Sequence, residues 1–355
     1  MTEIVFVFGT RPDVLKSMPV VEELQARGIV PRCILTGQHE ELLVGTPLAR
    51  ALQIERLQVK SRGQVMRWLK DAGKALDTVR VPAPGSLVVV QGDVMSAYAG
   101  ALWARRNGTD IAHIEAGVRS GAVDDPWPEE RLRYDIDTLA TWMYAPTERA
   151  RNNLEREGRE LTHILVTGNT SVSALARYTA AAPQATGSGI VVVTLHRREL
   201  TLDTERLRAV VDALMEAIHA HPTMRVLWPV HPSVSGVVFS NKPENLTFAT
   251  PMEYVPFVET VARASGVLTD SGGLVEECTT LGVPCAVLRN VTDRPEAEAC
   301  GAAQRFSTTP DGVRAAVEWL ALPHSRQPHT VFGLPDAAAR IAEHLATIVF
   351  GKLAA

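Results

Sequence analysis

The segment VLTDSGGLVEECTTLGVP, residues 267–284, determines how the rest of the chain is interpreted. Its apolar start continues a run from Ala262 and predicts a short strand ending at Thr269. Leu274–Leu281 has helical spacing, Gly282 is a typical residue for ending a helix, and Val283–Leu288 is a second apolar run. The segment therefore predicts a strand, a helix and a second strand, which is the repeating unit of α/β proteins.

The turn between this strand and helix, Ser-Gly-Gly at 271–273, has the composition of an anion site. Glycines leave the backbone N–H groups of a helix N-terminus uncovered, and the helix dipole adds positive potential there. Glu277, one turn into the helix, can reach a ribose diol, and the cations Arg289 and Arg294 follow the next strand. An ordinary strand-to-helix turn is the alternative, but these charged residues favour a phosphate site with a ribose contact beside it.

The composition is typical of a soluble globular protein. A chain of 355 residues exceeds what one core usually supports, so we expect two domains. A net charge of −4 gives no support for a nucleic acid or membrane partner. We expect a cytoplasmic protein, because no basic region precedes the first apolar run and no segment reaches membrane-spanning length. Four cysteines without CxxC spacing predict neither a disulfide nor a metal site: Cys33, Cys278, Cys285 and Cys300.

The first half of the chain alternates apolar runs with helical patterns, which predicts an open, doubly wound parallel sheet. The turn after the first strand, GTRP at 9–12, lacks the GxGxxG fingerprint of dinucleotide-binding proteins. Pro12 is predicted at the first position of the following helix. A later helix is predicted from Glu129 to Met143. The predicted strands are Glu3–Phe8, Pro31–Thr36, Leu87–Val90, Asp110–Ile114, Tyr144–Pro146 and Ile164–Thr167.

Charged residues collect at the carboxyl ends of these strands, where parallel sheets bind ligands. Arg11 follows the first strand, and Lys16 lies one turn further along the next helix. Asp93 and Glu115 follow two later strands. The sequence therefore predicts a cation and two carboxylates at one edge of the sheet.

The segment AAAPQATGSG at 180–189 is small, flexible and polar, and predicts a linker. We therefore assign an N-terminal domain to residues 1–179. A C-terminal domain with the same alternation of strands and helices is assigned to 190–334. The remaining segment, 335–355, contains a final helix that is long enough to cross back to the N-terminal domain.

Nine short motifs lie in the same order as in a known family: FGTRP at 8–12, QGD at 91–93, HIEAGVR at 113–119, PWPEE at 126–130, TGNT at 167–170, TLHRRE at 194–199, PVH at 229–231, TDSGG at 269–273 with Glu276 and Glu277, and Arg289 with TDRPE at 292–296. With these motifs the chain resembles the non-hydrolysing UDP-N-acetylglucosamine 2-epimerases over almost its full length. The resemblance implies two Rossmann-like doubly wound parallel-sheet domains facing a central cleft, the GT-B-like fold, with a site that domain closure completes. It also implies a homodimer, a UDP-sugar substrate and no cofactor.

The family reaction, as the resemblance implies, inverts C2 of the sugar. UDP leaves C1 as the C2 proton is lost, a glycal stays bound, and UDP adds back after protonation of the other face. The resemblance places acid–base chemistry on Asp93, Glu115 and Glu129. It also implies that His196 is a catalytic residue and matches it to a diphosphate contact. It places substrate binding on Arg11, Lys16, Arg133, Phe257, Ser271, Gly272, Gly273, Glu277 and Arg294. A regulatory nucleotide-sugar pocket would involve Gln38, His39, Glu41, Arg62, Arg197 and His231, although a satisfied core histidine is the alternative for His231.

Several positions differ from the family pattern, so the substrate stays open to alternatives. A hydrolysing variant that releases UDP and free sugar, or a 2-epimerase for a modified UDP-sugar, also fits. Two functions of other classes are also considered, a GT-B glycosyltransferase and a non-catalytic nucleotide-sugar sensor. The acids at the strand ends disfavour both. The family usually has Glu at Asp13, His at Gln91, Thr at Val94, Asn at Leu132, Asp at Ser173 and Asn at Leu200.

Overall fold

The structure, a computed structural model, describes residues 1–37, 53–59, 64–123, 125–179, 187–237 and 242–351. The chain divides into two compact units. The first unit comprises Met1–Arg177 together with Gly333–Ala355, and the second comprises Tyr178–Phe332. Most of the predicted linker at 180–189 lies outside the described residues.

The first unit contains a parallel sheet. Its seven strands have the order β3-β2-β1-β4-β5-β6-β7, so the chain extends the sheet first in one direction from β1 and then in the other from β4. The strands β1 and β4 are entirely buried, which explains their uninterrupted apolar sequences. The strands are β1 (Ile4–Phe8), β2 (Arg32–Leu35), β3 (Gln53–Arg56), β4 (Leu87–Gln91), β5 (Asp110–Ile114), β6 (Trp142–Ala145) and β7 (Ile164–Val166).

Helices connect these strands and cover the sheet. The core between them includes Val7 and Val88 from the sheet and the fully buried Trp103. A short 3-10 turn at Leu161–His163 precedes β7. The helices are α1 (Arg11–Ala26), α2 (Val65–Leu76), α3 (Met95–Arg106), α4 (Glu129–Leu139), α5 (Glu148–Arg156) and α6 (Thr170–Tyr178).

The second unit repeats this topology with six strands in the order β10-β9-β8-β11-β12-β13. All of its strand pairs are parallel. Its strands are β8 (Ile190–Thr194), β9 (Arg225–Pro229), β10 (Leu246–Ala249), β11 (Gly266–Thr269), β12 (Cys285–Leu288) and β13 (Ala303–Phe306), and its helices are α7 (Arg198–Thr201), α8 (Thr204–Ala220), α9 (Tyr254–Arg263), α10 (Gly272–Leu281), α11 (Pro295–Ala299) and α12 (Pro310–Ala321).

The last helix, α13 (Ala337–Phe350), belongs to the first unit and packs against α1. The start of this helix is held by Ser173, whose hydroxyl donates to the carbonyl of Pro335 (2.9 Å) and accepts from the N–H of Ala338 (3.0 Å). Within the described residues, no helix combines the length and apolarity needed to cross a bilayer.

The predicted fold class is confirmed, since both units are α/β with parallel sheets. The predicted extent of the helix from Glu129 to Met143 is wrong. α4 ends at Leu139, Ala140 has extended backbone angles, and Trp142–Ala145 forms β6 instead. The apolar run WMY continues the helical spacing, but its aromatic residues favour a strand beside β5.

The predicted turn before α10 also needs correction. Ser271 is the N-cap and the helix starts at Gly272, so both glycines belong to its first turn. Gly282 ends the helix in the left-handed conformation, as predicted. In α1 the helix starts at Arg11, which moves Pro12 to the second helical position.

Candidate active site

The carboxyl edge of the first sheet contains the start of α1. The side chain of Asp13 accepts from the N–H groups of Gly9 (2.9 Å), Thr10 (2.8 Å) and Val14 (2.9 Å), which forms a capping box with Thr10. Burial raises the pKa of Asp13 to about 6, although these donors act in the opposite direction. The cap holds Arg11, which is half-buried, as the first residue of α1 at this edge.

Glu115 follows β5 and has a backbone φ of +70°, which is uncommon for a residue with a side chain. Its carboxylate accepts from the ammonium group of Lys16 and from the side-chain amide of Gln91, each at 2.9 Å. Lys16, which the sequence assigned to substrate binding, therefore neutralises a carboxylate predicted to be catalytic. Gln91, where the family usually has histidine, supplies a donor to the same oxygen.

Asp93 follows β4 and is bound by Arg133 of α4. Arg133 is buried and also donates to Glu130 (3.0 Å), which in turn accepts from the backbone N–H of Ser120. The structure thus places Arg133, predicted to bind substrate, as the ion-pair partner of Asp93. Glu129 is the first residue of α4 and lies one turn before Arg133, so helix geometry directs both to the same face.

Sequence reasoning missed a buried carboxylate that supports this edge. Asp137 of α4 contacts the ring of His113, accepts from the N–H of Gly117 (3.0 Å) and is bound by Arg119 (2.7 Å). Burial alone would raise the pKa of Asp137, but the positive charges of His113 and Arg119 outweigh it and lower the pKa. The signal in the sequence was the motif HIEAGVR, which contains three of these residues, but nothing in it indicates Asp137.

The equivalent edge of the second sheet is built from hydrogen-bond donors. The hydroxyl of Ser271 caps α10 by accepting from the N–H of Leu274 (3.5 Å). The N–H of Ser271 donates to the hydroxyl of Thr269 (3.0 Å). Gly272 and Gly273 form the first turn of α10, so their N–H groups have no partner within the helix. A Cβ at Gly273 would meet no heavy atom within 4 Å, whereas a Cβ at Gly272 would lie 3.3 Å from a carboxylate oxygen of Asp293 and 3.8 Å from guanidinium nitrogens of both Arg197 and Arg289. Two cations and the carboxylate that binds Arg289 therefore lie beside this helix N-terminus.

Asp293 holds the cations beyond β12. It binds Arg289 (2.8 Å) and Arg294 (3.3 Å), and Arg294 also binds the buried Glu276. Arg294, predicted to contact the sugar, is itself buried in this network. Among the described residues, the buried Nη2 of Arg289 has no hydrogen-bond partner, so a donor remains beside α10 that an anion can satisfy.

His196 follows β8 and is held by Asp270, which follows β11. One carboxylate oxygen of Asp270 accepts from the backbone N–H groups of His196 and Arg197, both at 2.8 Å, and the other lies 3.3 Å from Nδ1 of His196. The His196 side chain is 35% exposed, so its ring remains accessible to a ligand. Asp270 was missed by the sequence reasoning, although its place directly before Ser-Gly-Gly was a usable signal.

The residues predicted for the nucleoside lie on neighbouring helices. Tyr254 of α9 donates its hydroxyl proton to Glu277 of α10; burial and the charge of Glu277 raise the pKa of Tyr254 far above its ordinary value. Phe257 is half-buried and lies three residues after Tyr254, which places both on one face of α9. The structure therefore places Phe257, predicted to contact the uracil, on the same face of α9 as the tyrosine that binds Glu277.

The residues predicted for a regulatory pocket are only partly described. Gln38, His39, Glu41 and Arg62 lie outside the described residues. The ring of His231 lies 5.4 Å from that of His196, centroid to centroid, and accepts from the N–H of Ser233. His231 is exposed, so the alternative of a core histidine is wrong.

Comparison with known proteins identifies the family of this chain. The family model for UDP-N-acetylglucosamine 2-epimerase matches residues 22–346. The chain belongs to the UDP-N-acetylglucosamine 2-epimerase family. The resemblance and the enzyme class predicted from the sequence are thereby confirmed.

The relatives described below match this chain over nearly its whole length. A probable UDP-N-acetylglucosamine 2-epimerase from Ralstonia nicotianae is 35% identical, covering 96% of this chain and 98% of the relative. The structure of Staphylococcus aureus MnaA with UDP has a TM-score of 0.87 at 26% identity and covers 99% and 98% of the two chains. The Neisseria meningitidis UDP-GlcNAc 2-epimerase bound to UDP-GlcNAc has a TM-score of 0.84 at 27% identity and covers 98% and 100%.

Proposed function

We propose that this 2-epimerase converts UDP-N-acetylglucosamine to UDP-N-acetylmannosamine by removing and re-adding UDP through a bound glycal. In the first step a carboxylate takes the C2 proton and the C1–O bond breaks, which forms the C1–C2 double bond and releases UDP. In the second step a carboxyl group returns a proton to the other face of C2. UDP then attacks C1, so no atom is gained or lost overall.

The observation that carries the proposal is the pair of carboxylates at adjacent strand ends of the first unit. Glu115 is held by Lys16 and Gln91, and Asp93 is held by Arg133. Two fixed carboxyl groups in different environments suit a reaction that takes a proton and returns one. We assign Glu129, one turn from Arg133, as the third acid–base group. A glycosyltransferase or a sensor does not need this set.

The anion site of the second unit supports the departure of UDP. A leaving diphosphate accumulates negative charge, and the N-terminus of α10 with Arg197 and Arg289 offers donors and positive charge in fixed positions. We assign Ser271, Gly272, Gly273 and His196 to the diphosphate, together with Arg11 of the first unit. Arg294 acts through the network that holds Arg289, and remains our candidate for contact with the sugar.

The nucleoside would be recognised by α9 and α10. We assign Glu277 to the ribose diol and Phe257 to the uracil. Tyr254 supports this assignment, because its hydrogen bond fixes the carboxylate of Glu277 in one direction. The substrate is proposed from the N. meningitidis relative, whose structure contains UDP-GlcNAc.

The test is NMR of the products formed from UDP-N-acetylglucosamine, with the Asp93→Asn protein as the inactive control. We expect a mixture of the gluco and manno epimers, both still joined to UDP. Free sugar together with UDP would overturn the non-hydrolysing reaction and assign the hydrolysing one. No conversion of this substrate, with turnover of another member of a UDP-sugar panel, would identify a modified sugar. The predicted homodimer stays a prediction that light scattering tests.

A further inference from the structure

A fully buried histidine–aspartate pair lies directly beneath the carboxylate edge of the first unit. His113 and Asp137 are 0% and 1% exposed, and Nδ1 of the ring lies 2.6 Å from the carboxylate. The other ring nitrogen, Nε2, lies 2.8 Å from the backbone carbonyl of Gly92. The pair is not among the residues assigned to the reaction, and it joins the residue before Asp93 to α4.

The partners of the ring define its hydrogen-bonding state. A carbonyl oxygen can only accept, so Nε2 must carry a proton to bond to Gly92. Asp137 accepts from the N–H of Gly117 and from Arg119 on its second oxygen, as expected for a carboxylate, so Nδ1 must donate as well. A ring that donates from both nitrogens is an imidazolium. Its charge is compensated by Asp137, which Arg119 and Glu157 extend into a partly buried ion network.

The position of the pair gives it a role. Arg133 and Asp137 lie four residues apart on one buried face of α4. Arg133 binds the side chain of Asp93, and Asp137 reaches the carbonyl of Gly92 through His113. The helix is therefore bonded to two consecutive residues at the end of β4, once through a side chain and once through the backbone. These two bonds fix the direction in which the carboxylate of Asp93 points.

We propose that His113 is a positioning residue for Asp93, which donates from both ring nitrogens to join Gly92 to α4. The proposal rests on the proposed function in one respect, that Asp93 transfers protons. A displacement of about 1 Å at a reacting group can lower the rate about 100-fold. The effect should appear in kcat rather than KM, because His113 acts on the acid–base group and not on the nucleotide.

Two substitutions separate the two ring nitrogens. His113→Gln places an amide donor near the position of Nε2 and can keep the bond to Gly92, whereas His113→Asn places one near Nδ1 and loses it. Each variant keeps at most one of the two bonds and so breaks the connection from Gly92 to α4, and we expect both to lower kcat about 100-fold with KM nearly unchanged. A wild-type kcat in either variant, or a change confined to KM, would overturn the positioning role. His163→Asn, at a partly exposed histidine of the same unit, is the control and should behave as wild type.

Nitrogen-15 NMR of histidine-labelled wild-type protein tests the two-donor ring without any turnover. The His113 signals, assigned by their loss in His113→Asn, should show a proton on both nitrogens near neutral pH. A ring with one unprotonated nitrogen would overturn the proposal, whatever the activity of the variants. This spectrum does not depend on the substrate. If the wild-type protein fails to epimerise UDP-N-acetylglucosamine, the proposed function fails while the hydrogen-bonding state of His113 is still measured.

Discussion

The carboxyl edges of the two sheets differ in chemistry although their strand orders are the same around the switch point. Each edge contains a histidine close to an aspartate. In the first unit, His113 is fully buried and lies between the carboxylate of Asp137 and the backbone carbonyl of Gly92. In the second unit, Asp270 binds backbone N–H groups directly and leaves His196 35% exposed. The same residue pair thus holds the backbone at the end of β4 in one unit and leaves an exposed ring at a strand end in the other.

The remaining residues follow the same division. The first edge holds carboxylates against cations, as in Glu115 with Lys16 and Asp93 with Arg133. The second edge offers N–H groups and guanidinium groups at the start of α10. Carboxylates exchange protons and helix N-termini bind anions, so one topology supplies both requirements of the proposed reaction. If this division is correct, substitutions of the carboxylates at the first edge should impair turnover, and substitutions at the start of α10 should impair UDP binding.

The largest effect is expected from Asp93→Asn. Removing a proton-transferring carboxylate should lower kcat by about 100- to 10,000-fold, while the affinity for UDP in calorimetry stays close to wild type. Asp110→Asn, at the start of β5 on the opposite edge of the same sheet, is the control and should retain kcat. A wild-type kcat for Asp93→Asn would remove this residue from the reaction.

Asp137→Asn should have a large effect on stability. It leaves the charges of His113 and Arg119 without their buried partner, which should lower the free energy of unfolding by about 3–5 kcal/mol near neutral pH. Because the folded protein lowers the pKa of Asp137, its stabilisation is present above the ordinary aspartate pKa and is lost as the pH falls below about 4. The difference between wild type and variant in chemical denaturation should therefore shrink in acid. Asp135→Asn, a partly exposed neighbour on α4, should show neither effect.

Gly273→Ala tests the second edge. The added methyl group meets no protein atom within 4 Å, so thermal stability should stay the same or rise, since alanine favours a helix. The methyl group does occupy the approach to the N–H groups of α10, and UDP affinity should fall about 10-fold. Gly73→Ala in α2 is the matched control, because its nearest contact is also distant, and should leave UDP affinity unchanged. Unchanged UDP affinity in Gly273→Ala would remove this turn from the diphosphate site.

Tyr254→Phe should give the smallest effect. Loss of the hydrogen bond to Glu277 should weaken UDP binding by about 1 kcal/mol, or roughly fivefold. The loss should vanish when the nucleotide lacks its ribose hydroxyls, because Tyr254 acts through Glu277. An equal loss with the deoxygenated nucleotide would show that Tyr254 acts elsewhere. Tyr134→Phe, at an exposed tyrosine of α4, should match wild type with both nucleotides.

The sequence predicted the parts of the molecule that local patterns encode. Buried strands such as β4 are continuous apolar runs, and the two glycines at 272–273 predict the turn that precedes α10. The short strands β3 and β13 were missed because they are partly exposed and carry charged residues, QIER and AQRF, in place of an apolar run. The end of α4 was misplaced because helical and strand patterns overlap in WMY.

Pairings between distant residues could not be predicted in the same way. Lys16 and Glu115 are separated by 99 residues, and His113 and Asp137 by 24. The strand-end rule placed Glu115 at the correct edge, but only the packing of α1 shows that Lys16 neutralises it. Similarly, Asp137 lies inside a helix without a motif, and its role follows from the face of α4 that packs on β5.

Proton NMR of the sugar after turnover in heavy water tests the central claim, that the first unit takes a proton from C2 and returns one from solvent. The account predicts that the manno epimer formed from UDP-N-acetylglucosamine carries deuterium at C2. A manno epimer that retains protium at C2 throughout turnover would contradict proton transfer through carboxyl groups in exchange with solvent.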